Sequence, residues 1–191
     1  MQRKNTRLLL VLFLGISNAV MSASSGADQQ TPQTLESLVH RAAAESKSAQ
    51  MKLAIIYLQG NGVAADIDKA IFYYRLAAEQ DVAFAQYKLA RLYLDGNRVK
   101  PDPEEAMDWM LRSARLGFVQ AQLDLSLLYE NGFGTPQNFI EAHKWLYIAS
   151  SLTDSNLESR QKELEAKMAF TDLVRARLSA RTCILKGYEG C

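Results

Sequence analysis

Cys183 and Cys191, with seven residues between them near the C-terminus, are the only two cysteines of the chain. In an exported protein such a pair favours a disulfide, with two free thiols as the alternative. Closing so short a loop stabilises by roughly 2–3 kcal/mol in the chain-entropy picture. A metal site needs more ligands than this tail offers. The Cys-x-x-Cys spacing of a redox dithiol is absent. Histidine is equally scarce: His40 and His143, with no His-Glu-x-x-His spacing, each read as a solvated helix residue rather than a ligand. Ser159-x-x-Lys162 puts an amine one helical turn from a serine hydroxyl. It lies in a highly charged stretch and lacks the Lys-Thr-Gly or Ser-Asp-Asn partner that acyl transfer to such a serine uses. Gly60-x-Gly62-x-x-Ala65 has the spacing of a dinucleotide phosphate loop. That loop needs a strand before it, and a helical pattern stands there instead. No catalytic set, no metal site and no cofactor is expected.

The 191 residues suffice for one domain of ordinary size, and 48% of them are apolar, enough for a core. Residues 1–23 read as a secretory signal. They hold a basic start (Arg3, Lys4, Arg7), a short apolar run from Leu8 to Ile16, and small residues at Ala19, Ser22 and Ala23 where cleavage can fall. The apolar run is shorter than the roughly 20 residues a membrane span needs. An export across the inner membrane to the periplasm is therefore expected, with no stable membrane insertion once the signal is removed. Without residues 1–23 the chain has 19 bases against 21 acids, a net charge of −2. So near-neutral a balance gives no general pull toward nucleic acid, and no nucleic-acid partner is expected. Residues 24–33 are polar and read as a linker.

Stepping along the rest of the chain, positions recur every 36 residues. Ala49, Leu53, Tyr57, Gly60 and Ala70 return as Ala85, Leu89, Tyr93, Gly96 and Ala106, and again as Ala121, Leu125, Tyr129, Gly132 and Ala142. A fixed period of this length marks stacked supersecondary units. Each unit reads as two antiparallel helices, A and B. Ala49, Leu53, Ile56 and Tyr57 fall at i, i+4, i+7 and i+8, on one face of helix A. Small residues at Ala54, Ala90 and Ser126 let neighbouring helices approach. Gly60, Gly96 and Gly132 end helix A. Asp66, Asp102 and Asn138 suit the N-cap of helix B, and Pro103 suits its first turn. Tyr73, Trp109 and Trp145 read as core wedges.

These residues closely resemble the Sel-1-like repeat, a relative of the tetratricopeptide repeat. The resemblance is carried by AQYKLARLYLDG (85–96), AQLDLSLLYENGFG (121–134) and EAHKWLYIAS (141–150). It implies an all-α fold, a right-handed α-solenoid of stacked antiparallel helix pairs with capping helices, that scaffolds or regulates other proteins. The expected organisation is a capping helix over 34–47, repeats over 48–83, 84–119 and 120–151, and capping helices with a disulfide tail over 152–191. Within that tail helices are expected over 154–167 and 171–185, the second started by Thr171 and Asp172, with a polar outer face to close the stack. The family's second loop glycine is present as Gly62 and Gly134 but is Arg98 in the middle repeat, so that loop is expected to bend differently. The family shares no catalytic residue set.

Off the apolar stripe of helix A lie Lys52, Ile55 and Gln59, then Lys88, Arg91 and Asp95, then Asp124, Leu127 and Asn131. In each trio the i, i+3, i+7 spacing shares one helix face. In tandem helix pairs the A helices line the concave side, so these nine residues are the candidate site for a protein partner. Phe72, Tyr74 and Tyr147 on the B helices form a second candidate patch. The expected function is that of a periplasmic adaptor or regulator in the cell envelope. The alternative is a binder or hydrolase of cell-wall material, through Tyr74 and Tyr147 or through Ser159.

Overall fold

The computed structural model describes residues 31–153 and 157–191, the side chains of residues 31–34 excepted. The expected signal and residues 24–30 of the expected linker lie outside the described residues. Among the described residues there are nine helices and no strand. They are α1 (Thr31–Ala43), α2 (Lys47–Gln59), α3 (Ile67–Ala78), α4 (Ala83–Asp95), α5 (Pro103–Arg115), α6 (Val119–Asn131), α7 (Phe139–Leu152), α8 (Glu158–Glu165) and α9 (Phe170–Leu185). They pack as consecutive helix pairs. The chain divides into two compact units between Tyr73 and Tyr74, inside α3.

In the first unit α1 opens at Thr31, ahead of the expected start at residue 34. Pro32 in its first turn lacks an N–H that would have no helical partner there. The helix also ends earlier than expected, at Ala43. Ser46 caps α2 by accepting the Ala49 N–H at 3.4 Å, and Ala49, Leu53 and Ala54 are fully buried. Gly60 ends α2 in the left-handed region with φ 74° and donates to the Ile56 carbonyl. The loop then closes on itself through Asp66 N–H to the Tyr57 carbonyl, 2.9 Å. Asp66 Oδ1 accepts the Lys69 N–H at 3.0 Å as the cap of α3. Tyr57 stacks on Tyr73 at 5.9 Å between ring centres.

The second unit repeats this chemistry twice. Asp102 caps α5 and Asn138 caps α7 through their side-chain oxygens. Their own N–H groups donate to Tyr93 and Tyr129, residues of the preceding A helices. Leu89 and Leu125 are fully buried, each contributing about 1.5–3 kcal/mol relative to exposure. The close-approach positions are buried as well, Ala90 in α4 and Ser126 in α6. Trp109 and Trp145 are buried wedges. Gly134, with φ 73°, accepts no side chain: a Cβ there would lie 2.7 Å from the Pro103 carbonyl oxygen. That close approach seats the loop after α6 on the start of α5. In the middle loop Arg98 stays out of the left-handed region that Gly62 and Gly134 occupy, so this loop does bend differently.

The C-terminal part departs furthest from expectation. The first of its helices, α8, spans only Glu158–Glu165. The second, α9, starts at Phe170 after Ala169, with no side-chain cap, so Thr171 is already inside the first turn. Both pack against α7. The outer face of α9 is not polar: Phe170, Val174, Leu178 and Leu185 are all exposed. The inner face, Ala176, Ala180 and Cys183, already contacts the body of the unit, and the larger apolar residues fall on the opposite side of the same helix.

Candidate interaction surface

The repeat chemistry places the nine candidate residues on A helices. In the first unit Lys52 and Gln59 are exposed on α2 and Ile55 is half-buried. The other six belong to the second unit. On α4, Arg91 and Asp95 are exposed and Lys88 is half-buried; on α6, Leu127 and Asn131 are exposed and Asp124 is half-buried. Arg91 Nη1 lies 3.3 Å from Asp124 Oδ2, and this ion pair sets the two rows side by side. Partly exposed pairs of this kind are worth little in stability; here the pair marks where the two helix faces meet.

One residue of this surface was missed by the sequence reading. Phe84 precedes Lys88 by four residues and continues its row. It is 37% exposed, with the Lys88 ammonium 5.1 Å from its ring centre. Phe118 meets Phe84 edge-on at 6.1 Å and Tyr87 at 5.1 Å. Burial pushes the Tyr87 phenol above its ordinary pKa, and the neighbouring Asp124 carboxylate pushes the same way. The surface thus joins an aromatic cluster, two cations and an exposed leucine. The i, i+4 spacing of Phe84 and Lys88 was the available signal.

The other candidates fall elsewhere. Tyr74 is 1% exposed, so it forms no surface patch; α3 buries it along with Tyr73. Phe72 and Tyr147 are half-buried, Phe72 edge-on against Tyr73 and Tyr147 stacked near His143. His40 is exposed, but His143 is not the solvated residue expected: it is fully buried, with Nε2 2.9 Å from Glu165 Oε1. The α7 face that carries it is covered by α8 and α9. Glu165 also accepts from Arg177 at 2.7 Å. The His143 hydrogen bond, then Arg177, hold its carboxyl below the usual range. Ser159 and Lys162 are both exposed on α8.

Two further groups join the C-terminal helices to the repeats. Glu130, nearly buried, pairs with Arg160 and with Lys167 at 2.7 Å. A buried carboxylate is tolerable only when paired in this way. Lys144, 4% exposed, pairs with Glu141 at 2.5 Å and donates to the Cys191 carbonyl at 3.4 Å. Cys183 and Cys191 form a disulfide. Lys144, Thr182, Lys186, Glu189 and the disulfide line a polar recess of about 190 Å³. Among the described residues no group of three or more His, Cys, Asp or Glu side chains is placed to hold a metal ion. No helix among them is long and apolar enough to cross a membrane.

The profile of the Sel1 repeat matches residues 47–82, 83–118 and 119–154, more than half of the chain. A Sel1 repeat protein from Oxalobacter formigenes, known as a crystal structure, is 31% identical with a TM-score of 0.62. The match covers 69% of this chain and 98% of that one. A protective antigen present in uropathogenic Escherichia coli strains, displaying an SLR fold, is 25% identical with a TM-score of 0.51. There the match covers 82% of this chain and 42% of the other. Among curated proteins none matches the chain. The three contiguous 36-residue matches, each an A and a B helix in the structure, carry the conclusion that this chain belongs to the Sel1 repeat family.

Proposed function

We propose that this protein is an exported adaptor or regulator of the cell envelope that binds a protein partner across the exposed faces of α4 and α6. Sel1 repeats are in general protein-interaction scaffolds without chemistry of their own. The observation that carries the reading is the joined surface of Phe84, Lys88, Arg91, Asp124 and Leu127. Its aromatic residue and its arginine are of the types enriched at interface centres, where a few large groups dominate binding. Export is supported by the basic and apolar pattern of residues 1–23 and by the disulfide. Cell-wall binding through Tyr74 loses its basis with that side chain buried.

The test is a crosslinking pull-down from cell envelopes with the wild-type protein and with a Lys88→Glu, Arg91→Glu double variant. One protein captured by the wild type and lost by the variant, at unchanged helicity, is the expected result. Equal capture by both would remove the α4–α6 assignment. Fractionation of cells carrying an affinity-tagged chain tests export separately: the expected product is periplasmic, shortened at its N-terminus and oxidised at Cys183–Cys191. A full-length cytoplasmic product would end that part of the reading.

A further inference from the structure

The outer face of α9 is the largest departure from what a terminal helix should show. The end of a helical-repeat stack is normally closed by a polar face. Here Phe170 is 80% exposed, Leu178 59% and Leu185 87%, with Val174 beside them. At about 100° per residue these four positions fall within roughly 80° of the helix circumference. They form one straight seam along four turns. The opposite side of the helix, through Ala176 and Ala180, is fully buried in the unit. So α9 is apolar on two sides, one of them facing outward.

The rim of the seam is basic. Arg181 lies within it, Arg175 and Arg177 flank it, Arg177 paired with Glu165 of α8 at 2.7 Å, and Lys186 follows at its end. The only acid of α9 is Asp172, already 3.6 Å from Arg175. We propose that this seam docks an amphipathic helix with acidic flanks, supplied by a partner protein. That surface is separate from the α4–α6 face and does not depend on it.

Charge selects among the possible occupants. A second copy would present the same face in a two-fold contact, bringing the two basic rims together, and like charges oppose association. Residues 24–30, which remain once the expected signal is removed, hold Ala27 as their single apolar residue, so they have no apolar face to fill the seam. An anionic bilayer would suit the charge but not the shape. A bilayer covers a broad apolar face, whereas a seam this narrow is the width one packed helix covers. An acidic-flanked helix satisfies both the leucine spacing and the arginines.

The test uses the purified protein and two synthetic helical peptides, with leucines at the same i, i+4, i+8 spacing and flanks of glutamate or of lysine. Fluorescence anisotropy should show the glutamate peptide binding at least about tenfold tighter than the lysine peptide, a difference of roughly 1.4 kcal/mol. Phe170→Gln with Leu178→Gln, both at exposed positions, should weaken binding at least about tenfold. Arg175→Glu with Arg181→Glu should reverse the preference between the two peptides. The Lys88→Glu, Arg91→Glu variant should bind the glutamate peptide as the wild type does. Binding of neither peptide, or equal binding of both, would overturn the proposal. Self-association in sedimentation that Phe170→Gln with Leu178→Gln abolishes would assign the seam to a second copy instead. Binding to phosphatidylglycerol vesicles, lost in the same variant, would assign it to a membrane.

Discussion

Gln86 donates from its side-chain amide to the carbonyl of Ala78 at 2.9 Å, reaching back from α4 to the end of α3. Gln122 does the same for Ala114 at 3.1 Å, and Gln50 for Ala42 at 3.3 Å in the first unit. All three glutamines are buried. The last carbonyls of a helix have no partner within it. A 36-residue series of buried amides therefore closes the end of each helix that precedes an A helix. Gln86→Leu leaves the Ala78 carbonyl with one bond, from the Asp81 N–H at 3.1 Å, and removes the amide that ties α4 to it. The expected loss is about 0.5–1.5 kcal/mol of stability, the net worth of one hydrogen bond, read by urea denaturation; an unchanged midpoint would show that the amide contributes nothing net.

The turn from each of these helices into the next A helix needs a left-handed residue. Glu45, Asp81 and Gly117 occupy it, 36 residues apart, with φ of 60°, 60° and 79°. In each case the following N–H bonds back five residues, as from Val82 to Ala77, the pattern of a left-handed helix end. Only the third is glycine. Asp81→Gly should raise stability by about 1 kcal/mol, since the left-handed conformation costs an L-residue about that much. Gly117→Ala should lower it by a similar amount. Thermal melts of the two variants should move in opposite directions; movement in the same direction would count against this account.

Acid should loosen the attachment of α8 to α7. The Glu165 carboxyl is held below its ordinary value of 4.5 by the His143 hydrogen bond first and Arg177 second, against burial. A carboxylate with a depressed folded pKa contributes stability above its unfolded pKa and loses it as pH falls through the folded one. The melting temperature of the wild type should therefore drop as pH falls below 4.5 and on through the lower folded pKa. Glu165→Gln should melt lower at neutral pH and show a flatter profile across that window. Parallel profiles for the two proteins would show that Glu165 carries none of the acid sensitivity.

Reduction should release the tail while leaving the repeats folded. Cys183–Cys191 is the covalent tie of residues 184–191, assisted by the Lys144 bond to the Cys191 carbonyl. Cys191→Ser should cost about 2–3 kcal/mol, and hydrogen exchange should rise in residues 186–191 with little change in α4–α7. Exchange rising throughout α7 instead would make the disulfide a support of the repeat stack rather than of the tail.

The sequence by itself determined the repeat period, the helix starts at Asp66, Asp102 and Asn138, the helix stops at the three glycines, and the wedge role of Tyr73, Trp109 and Trp145. Each depends on contacts within one turn, or on a pattern repeated in register, and such signals are local. Only the tertiary structure decided which further faces are covered. Tyr74 and His143 read as surface residues until a neighbouring element packs over them, and nothing in their own helices signals that cover. The polar outer face expected of the last helix is replaced by Phe170, Leu178 and Leu185 because α9 turns its alanine face inward and leaves them outside. The roles of Gln86, Glu45 and Asp81 were hidden for a related reason. Each depends on where one helix ends against the next, and polar residues of these types look like solvated surface along the chain.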